Sequence, residues 1–233
     1  MNKEKLEKAK KFGIEFFLIF ISIIAAFALD NWNDNRKDKN TETKILTEIN
    51  NGLKQDLQDI SLNEMGHRTG IHATTFFRDV VMNKPVKNDS LIYHYFNVFR
   101  DFISVQNVSG YETLKSKGLE IIDNEMLRAE IISLYENDYN SIRKLVENYS
   151  ELQLHESYFK EFNDVLAPNM IMDEQGQMIG MKYPIKITEE KKNVLLVDLW
   201  KIHVNRMLML SSYAELKVKI EKLQKHIEKE LKG

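Results

Sequence analysis

The chain has 233 residues, a formal net charge of −2, 43% apolar and 29% charged residues. It can bury a core, it is not disordered as a whole, and it lacks the basic excess of a nucleic-acid binder, so no nucleic acid is expected as a partner. Only 9 Gly and 3 Pro occur and Cys is absent. That disfavours a sandwich or barrel, favours long helices, and excludes disulfides, thiolate metal sites and a Cys nucleophile.

The first element is a membrane segment. Residues Phe12 to Leu29 read FGIEFFLIFISIIAAFAL, 18 residues with Glu15 as the one charge. As a helix they span about 27 Å, near the thickness of a hydrocarbon core. Lys3, Lys5, Lys8, Lys10 and Lys11 precede the run, against Glu4 and Glu7. The positive-inside rule then puts a short tail, residues 1–11, in the cytoplasm and the bulk of the chain, residues 30–233, outside it. Trp32 follows directly, where aromatic side chains anchor membrane helices. The rival reading is a cleaved signal peptide with Ala26-Phe27-Ala28 as the cleavage site. The length of the run, Glu15 within it and a helix-permissive exit favour the uncleaved anchor. Ser22 and Ala26 give a small-x-x-x-small spacing that permits close approach of another membrane helix. Glu15 has two readings. Paired with Lys11 four residues earlier it sets helix depth; facing a partner membrane helix it pairs with a cation or carries a proton.

Gly13, Glu15, the Ile/Phe/Ala-rich run and Asp30-Asn31-Trp32-Asn33-Asp34 carry a resemblance, with a second stretch at Tyr111-Glu112-Thr113-Leu114-Lys115-Ser116, Gly118, Leu127-Arg128 and Tyr135. These stretches resemble a domain-of-unknown-function family of short single-pass envelope proteins from Gram-negative bacteria. The chain departs from that family's pattern by inserting Ile14 between Gly and Glu and by carrying Asp30 where Asn is commoner. The resemblance implies a bacterial inner-membrane location, a single-pass topology and a helical ectodomain, and brings no known activity.

Beyond Trp32 the pattern stays helical. Ile45, Ile49, Leu53, Leu57 and Ile60 recur at steps of four and three, and no proline occurs before Pro85. The membrane helix is expected to run on, with a break near Asn50-Asn51-Gly52 and an end at Gly66 and Gly70. Residues 71–83 read as a separate short helix. Asp89 or Ser90 caps a helix bearing Tyr93, Tyr95, Phe96, Phe99 and Phe102. Ser109-Gly-Tyr-Glu112 fits a capping box opening a helix that stops at Gly118. Asp123 or Asn124 caps one long helix over 125–166, about 63 Å in length. Residues 170–187 contain a β-hairpin turning at Asp173–Gly176. Thr188 caps the last helix, whose tail carries Leu216, Ile220, Leu223, Ile227 and Leu231 near a heptad spacing. That stripe pairs with a second copy or folds back on the helix after the membrane, the second being favoured.

The chemistry-bearing residues form no familiar constellation. Six His are scattered, and His67 and His72 are five apart, off a common helical face; they read as surface or edge residues, and no metal or cofactor is expected. No G-x-S-x-G, P-loop or G-x-G-x-x-G occurs, so no catalytic residue is assigned. The aromatic cluster from Tyr93 to Phe102, with Phe76 and Phe77, reads as core rather than a ligand pocket. Tyr111, Glu112, Leu114 and Arg128 form either a partner-binding elbow or a helical corner fixed by its caps.

The expected fold is therefore all-α: a membrane helix over 12–29 and an extramembrane bundle of long antiparallel helices. The expected function is a non-enzymatic interaction or scaffold module of the cell envelope, in contact with the bilayer and with a protein partner or its own copy. One alternative is a helical sensor acting through a partner. Another is an accessory subunit of a proton-driven membrane complex, for which Glu15 is the supporting residue.

Overall fold

The structure, a computed structural model, describes residues 3–232. The side chains of Lys3, Lys5, Lys8 and Lys10, read above as the positive flank, lie outside the described residues.

The fold is all-α with one small hairpin. Helix α1, Lys3–Val81, is 79 residues of uninterrupted helix, about 118 Å at 1.5 Å per residue. The expected break at Asn50-Asn51-Gly52 and the expected end at Gly66 and Gly70 are not there, and residues 71–81 belong to the same helix. The glycines serve close packing instead. A Cβ on Gly66 would lie 2.1 Å from the Phe102 ring, and one on Gly70 would lie 2.2 Å from the Arg206 guanidinium. Tertiary contacts at these two points outweigh the weak helix propensity of glycine. The helix ends where Asn83 turns left-handed (φ 55°). Asn83 and Lys84 donate their backbone N–H groups to Val80 and Asp79 there, closing the last turn.

Helix α2, Leu91–Val98, is shorter than its aromatic stripe, because Phe99 to Val108 run non-helical across the bundle. Helix α3, Ser109–Lys117, opens without the expected capping box. Asn107 takes the capping role, its Oδ1 accepting from Ser109 N (3.3 Å) and Ser109 Oγ (2.9 Å), while Glu112 pairs with Lys115 at 2.7 Å. Gly118, at φ 99°, stops α3, and Asn124 Oδ1 accepts from Leu127 N at 3.1 Å to start α4, Glu125–Ile132.

The single long helix expected over 125–166 is interrupted after Asn148. A π-helical turn, Ser133–Asp138, joins α4 to α5, Tyr139–Asn148. Tyr149 then adopts extended backbone (φ −97°, ψ 101°), and α6, Leu154–Leu166, starts afresh. The reason is the destination of the flanking leucines. Leu152 goes into one apolar core and Leu154 into the other, so the chain must change direction between them.

Strands β1, Met170–Met172, and β2, Met178–Met181, pair antiparallel around a turn. In that turn Asp173 Oδ1 accepts from Gln175 N and Gln177 N. Helix α7, Glu189–Glu230, starts at Thr188, whose Oγ1 accepts from Lys191 N at 3.3 Å, and runs for 42 residues.

Helices α1 and α7 are antiparallel and form the spine: Arg206 seats on Gly70, Lys217 pairs with Glu64 at 2.9 Å, and Gln224 reaches Asn50 O. The inner face of α7 is a heptad seam of Leu195, Leu199, Ile202, Arg206, Met209, Tyr213, Leu216, Ile220, Leu223 and Ile227, all buried. The expected tail stripe thus packs inside its own chain.

Two apolar cores result. The proximal one joins Ile45–Ile60 of α1 to α3, α4, α5 and the second half of α7. The distal one joins Ala73–Val81 to α2, α6, the hairpin and the first half of α7. Polar residues separate them.

Candidate functional site

The residues singled out from the sequence fall at three places. The first is the apolar segment of α1. Phe12, Phe16, Phe17, Ile19, Phe27 and Leu29 are all largely exposed, and no described part of the chain packs on residues 12–29. Glu15 and Ala26 are exposed on this segment, and Ser22 turns its hydroxyl back to Leu18 O at 2.8 Å. Its length and hydropathy suffice to cross a membrane. Trp32 stands exposed just past the segment with the Arg36 guanidinium 5.9 Å from its ring centroid.

The second place is the elbow. Tyr111 and Leu114 are core residues, Tyr111 stacking on Tyr135 with ring centroids 4.5 Å apart. Arg128 is turned inward enough for Nη1 to donate to Ile122 O at 3.0 Å. Only Glu112 of the four is presented to solvent. The caps and the buried pair account for the geometry of this corner. Between the elbow and α1 lies an open cleft of about 770 Å³, bounded by Trp32, Arg36 and Lys39 on one side and Lys117, Gly118 and Asp123 on the other. Lys39 bridges it, 2.8 Å from Glu42 and 3.8 Å from Asp123.

The third place, which sequence reasoning missed, is the polar layer between the two cores. The non-helical segment after α2 is strapped to α1 there. Asp59 Oδ2 accepts from Ser104 Oγ (2.7 Å) and Val105 N (2.9 Å). Asp56 accepts from Asn107 N (2.7 Å) and from the Tyr139 hydroxyl (2.5 Å). Burial pushes the Asp56 carboxyl up, and burial together with the Asp56 charge pushes the Tyr139 hydroxyl up. Both are sealed from solvent, so their bonding capacity is used within the fold.

Arg206, 0% exposed, occupies the centre of this layer. Its Nη2 serves three carbonyl oxygens at the end of α2, Asn97 (3.1 Å), Val98 (2.9 Å) and Arg100 (3.0 Å). A cation at a helix C-terminus satisfies carbonyls that have no partner inside the helix. Its Nη1 faces His67 Nδ1 at 3.4 Å, while His67 Nε2 sits 2.9 Å from Phe102 O. The carbonyl can only accept, so His67 carries its proton on Nε2 and receives from Arg206 on Nδ1. His67 is therefore not the surface residue expected: burial, then the Arg206 charge, lowers it from 6.5 to about 4. Burial also lowers Arg206 to about 10. No cluster of metal-ligating side chains is present among the described residues.

The aromatic stripe divides. Phe77 and Phe99 are core and meet Phe162 edge-on, whereas Tyr93 and Phe96 are exposed. Signals for the missed residues were present but ambiguous. Arg206 occupies an apolar heptad position of α7, and Gly66-x-x-x-Gly70 is a small-residue pair on α1. No protein-family model, no curated protein and no solved structure matches this chain.

Proposed function

We propose that this chain is a single-pass protein of the bacterial inner membrane, with its N-terminus cytoplasmic and its helical domain periplasmic, acting as a non-enzymatic interaction or scaffold module. One observation carries the reading: the exposed apolar segment and the spine of the folded domain are the same helix. Among the described side chains, residues 12–29 bury nothing within the chain, while the same helix from Glu42 to Val81 is clamped by α3, α2 and α7. A lipid-length apolar segment that is exposed in water is costly, and a bilayer removes that cost. Twelve residues lie between Leu29 and Glu42, and the helix rises about 20 Å from one to the other. A rigid helical stalk of this kind holds a domain at a fixed height and orientation, which suits docking more than chemistry. The family resemblance of Gly13, Glu15 and the Asn31-Trp32-Asn33 exit points the same way.

The test is affinity purification of the full chain from membranes in mild detergent, with identification of what accompanies it. A stoichiometric protein complex, with this chain or another, supports the scaffold reading. A lone chain carrying a small molecule overturns it in favour of the sensor.

A further inference from the structure

Helix α7 carries a second heptad seam, on the face opposite the buried one. Val197, Trp200, Val204, Met207, Ser211, Ala214 and Val218 follow one another at alternating steps of three and four, and every one of them is exposed. Trp200 is 64% exposed, Val218 66% and Val197 50%, and Leu208 flanks the seam, also exposed. Asn193 and Glu221, the next positions in the same register, are polar, so the seam is bounded at both ends. It is about three heptads long, roughly 32 Å. Scattered exposed apolar residues are ordinary, but these are contiguous and in register. Together they present on the order of 500 Å² of apolar surface, the size of the largest patch on a typical monomer, which is often functional.

We propose that this face pairs with the same face of a second copy, making a parallel two-stranded coiled coil between two α7 helices. Three features select that occupant. The pattern has the period of a coiled coil, 3.5 residues, so the seam stays in line with an identical partner along its length. Taking Val197 as position a, the a positions are Val197, Val204, Ser211 and Val218. Three of these four are β-branched valines, the residue type found at a in two-stranded coiled coils, and the d positions are Trp200, Met207 and Ala214. The patch is large enough, counted on both copies with its rim, to reach the roughly 1,000 Å² that a specific interface needs. Trp200, at a d position, is the natural anchor, since tryptophan is over-represented among residues that dominate interface energetics. The parallel direction rests on the membrane-anchor reading: two copies held by α1 in one bilayer share their orientation, and a two-fold axis along the membrane normal brings the two α7 faces together isologously.

The chain has no cysteine, which makes the test clean. Val197→Cys and Val218→Cys are introduced singly into the full chain, with Lys54→Cys on the exposed side of α1 as control, and native membranes are oxidised. In a parallel in-register pair each of the two seam cysteines lies beside its own copy, so both variants run as disulfide-linked dimers without reductant and Lys54→Cys remains monomeric. Monomer from both seam variants overturns the proposal. So does crosslinking only at the seam's middle, at Met207→Cys, which marks an antiparallel pair. A second variant reads the same face without cysteine. Trp200→Glu is expected to lower the protein mass in mild detergent from twice 27.4 kDa to that value, with the helical content unchanged because Trp200 is outside the core. A Trp200→Glu chain that stays dimeric refutes the seam. Alkaline extraction of the same membranes keeps the two readings apart: release of the chain overturns the anchor, whereas a retained but monomeric chain overturns the pairing alone.

Discussion

Gly70→Ala separates packing from propensity by the sign of its effect. Gly70 lies mid-helix in α1, and alanine there improves intrinsic helix propensity by about 1 kcal/mol. If the helix were all that mattered, the variant would be more stable. The added methyl, however, would stand 2.2 Å from both Cζ and Nε of Arg206, well inside contact distance. The guanidinium has nowhere to retreat, because it is fully buried and its Nη2 is held by three carbonyl oxygens of the α2 terminus. Hydrogen bonds to a charged group are worth about 1.5–3 kcal/mol each, and a buried carbonyl left unpaired adds a similar cost. Displacing the group from two of its three acceptors therefore outweighs the propensity gain, for a net loss of about 3 kcal/mol. In a chain of this size that is a fall in melting temperature of about 6–12 °C. The assay is thermal unfolding of the purified full chain in detergent, followed by circular dichroism. Gly13→Ala is the control, since a Cβ there meets nothing within 4 Å. A Gly70→Ala protein that melts higher than the parent would refute the seating of Arg206 on α1.

His67 supplies a pH dependence. It is lowered from 6.5 to about 4 in the fold, so the folded state binds fewer protons than the unfolded one in that window. Its contribution is full above pH 6.5 and is lost as pH falls towards 4, about 3 kcal/mol in all. His67→Gln should flatten the stability–pH curve between those values, and an unchanged slope in denaturant titrations would contradict the buried position. Leu223→Asp places a carboxylate in the inner seam of α7, where Leu223 is 3% exposed; a loss of about 4 kcal/mol or more in urea unfolding is expected, and an unchanged midpoint would put that face in solvent. Glu15→Gln should insert normally and keep its complex, as fits a residue that sets helix depth beside Lys11. A variant that inserts but loses its complex would instead make Glu15 a contact residue and support the proton-driven alternative.

The long-range architecture was readable where the periodicity was strong. The cap at Thr188, the cap at Asn124 as one of two candidates, the stop at Gly118, the Asp173–Gly176 turn and the Leu216–Ile227 stripe are local patterns that the structure carries. The errors came from residues whose role is set by a distant neighbour. Gly66 and Gly70 look like helix ends until Phe102 and Arg206 are laid against them. Ser109 and Glu112 have the spacing of a capping box, but Asn107 reaches the backbone first because Asp56 fixes its own N–H. The helical spacing from Leu127 onward continues past Tyr149 on paper, yet Leu152 and Leu154 belong to different cores. His67 and Arg206 could not be read as a pair, since 139 positions separate them. The outer seam of α7 was legible as spacing all along. Lys201, Lys217 and Glu215 interleave with it, and only the burial of the other seam marks it as a separate exposed face.

The continuity of anchor and domain has its most direct test in labelling of single cysteines, introduced into the otherwise cysteine-free chain, by a membrane-impermeant maleimide applied to cells with a permeabilised outer membrane and an intact inner one. Lys54→Cys, on the part of α1 inside the domain, should be labelled without lysis. Lys5→Cys, ahead of the apolar segment, should be labelled only after lysis and should remain in the same full-length band. Labelling of Lys5→Cys in intact cells, or protection of Lys54→Cys, would contradict a cytoplasmic N-terminus joined by one helix to a periplasmic domain.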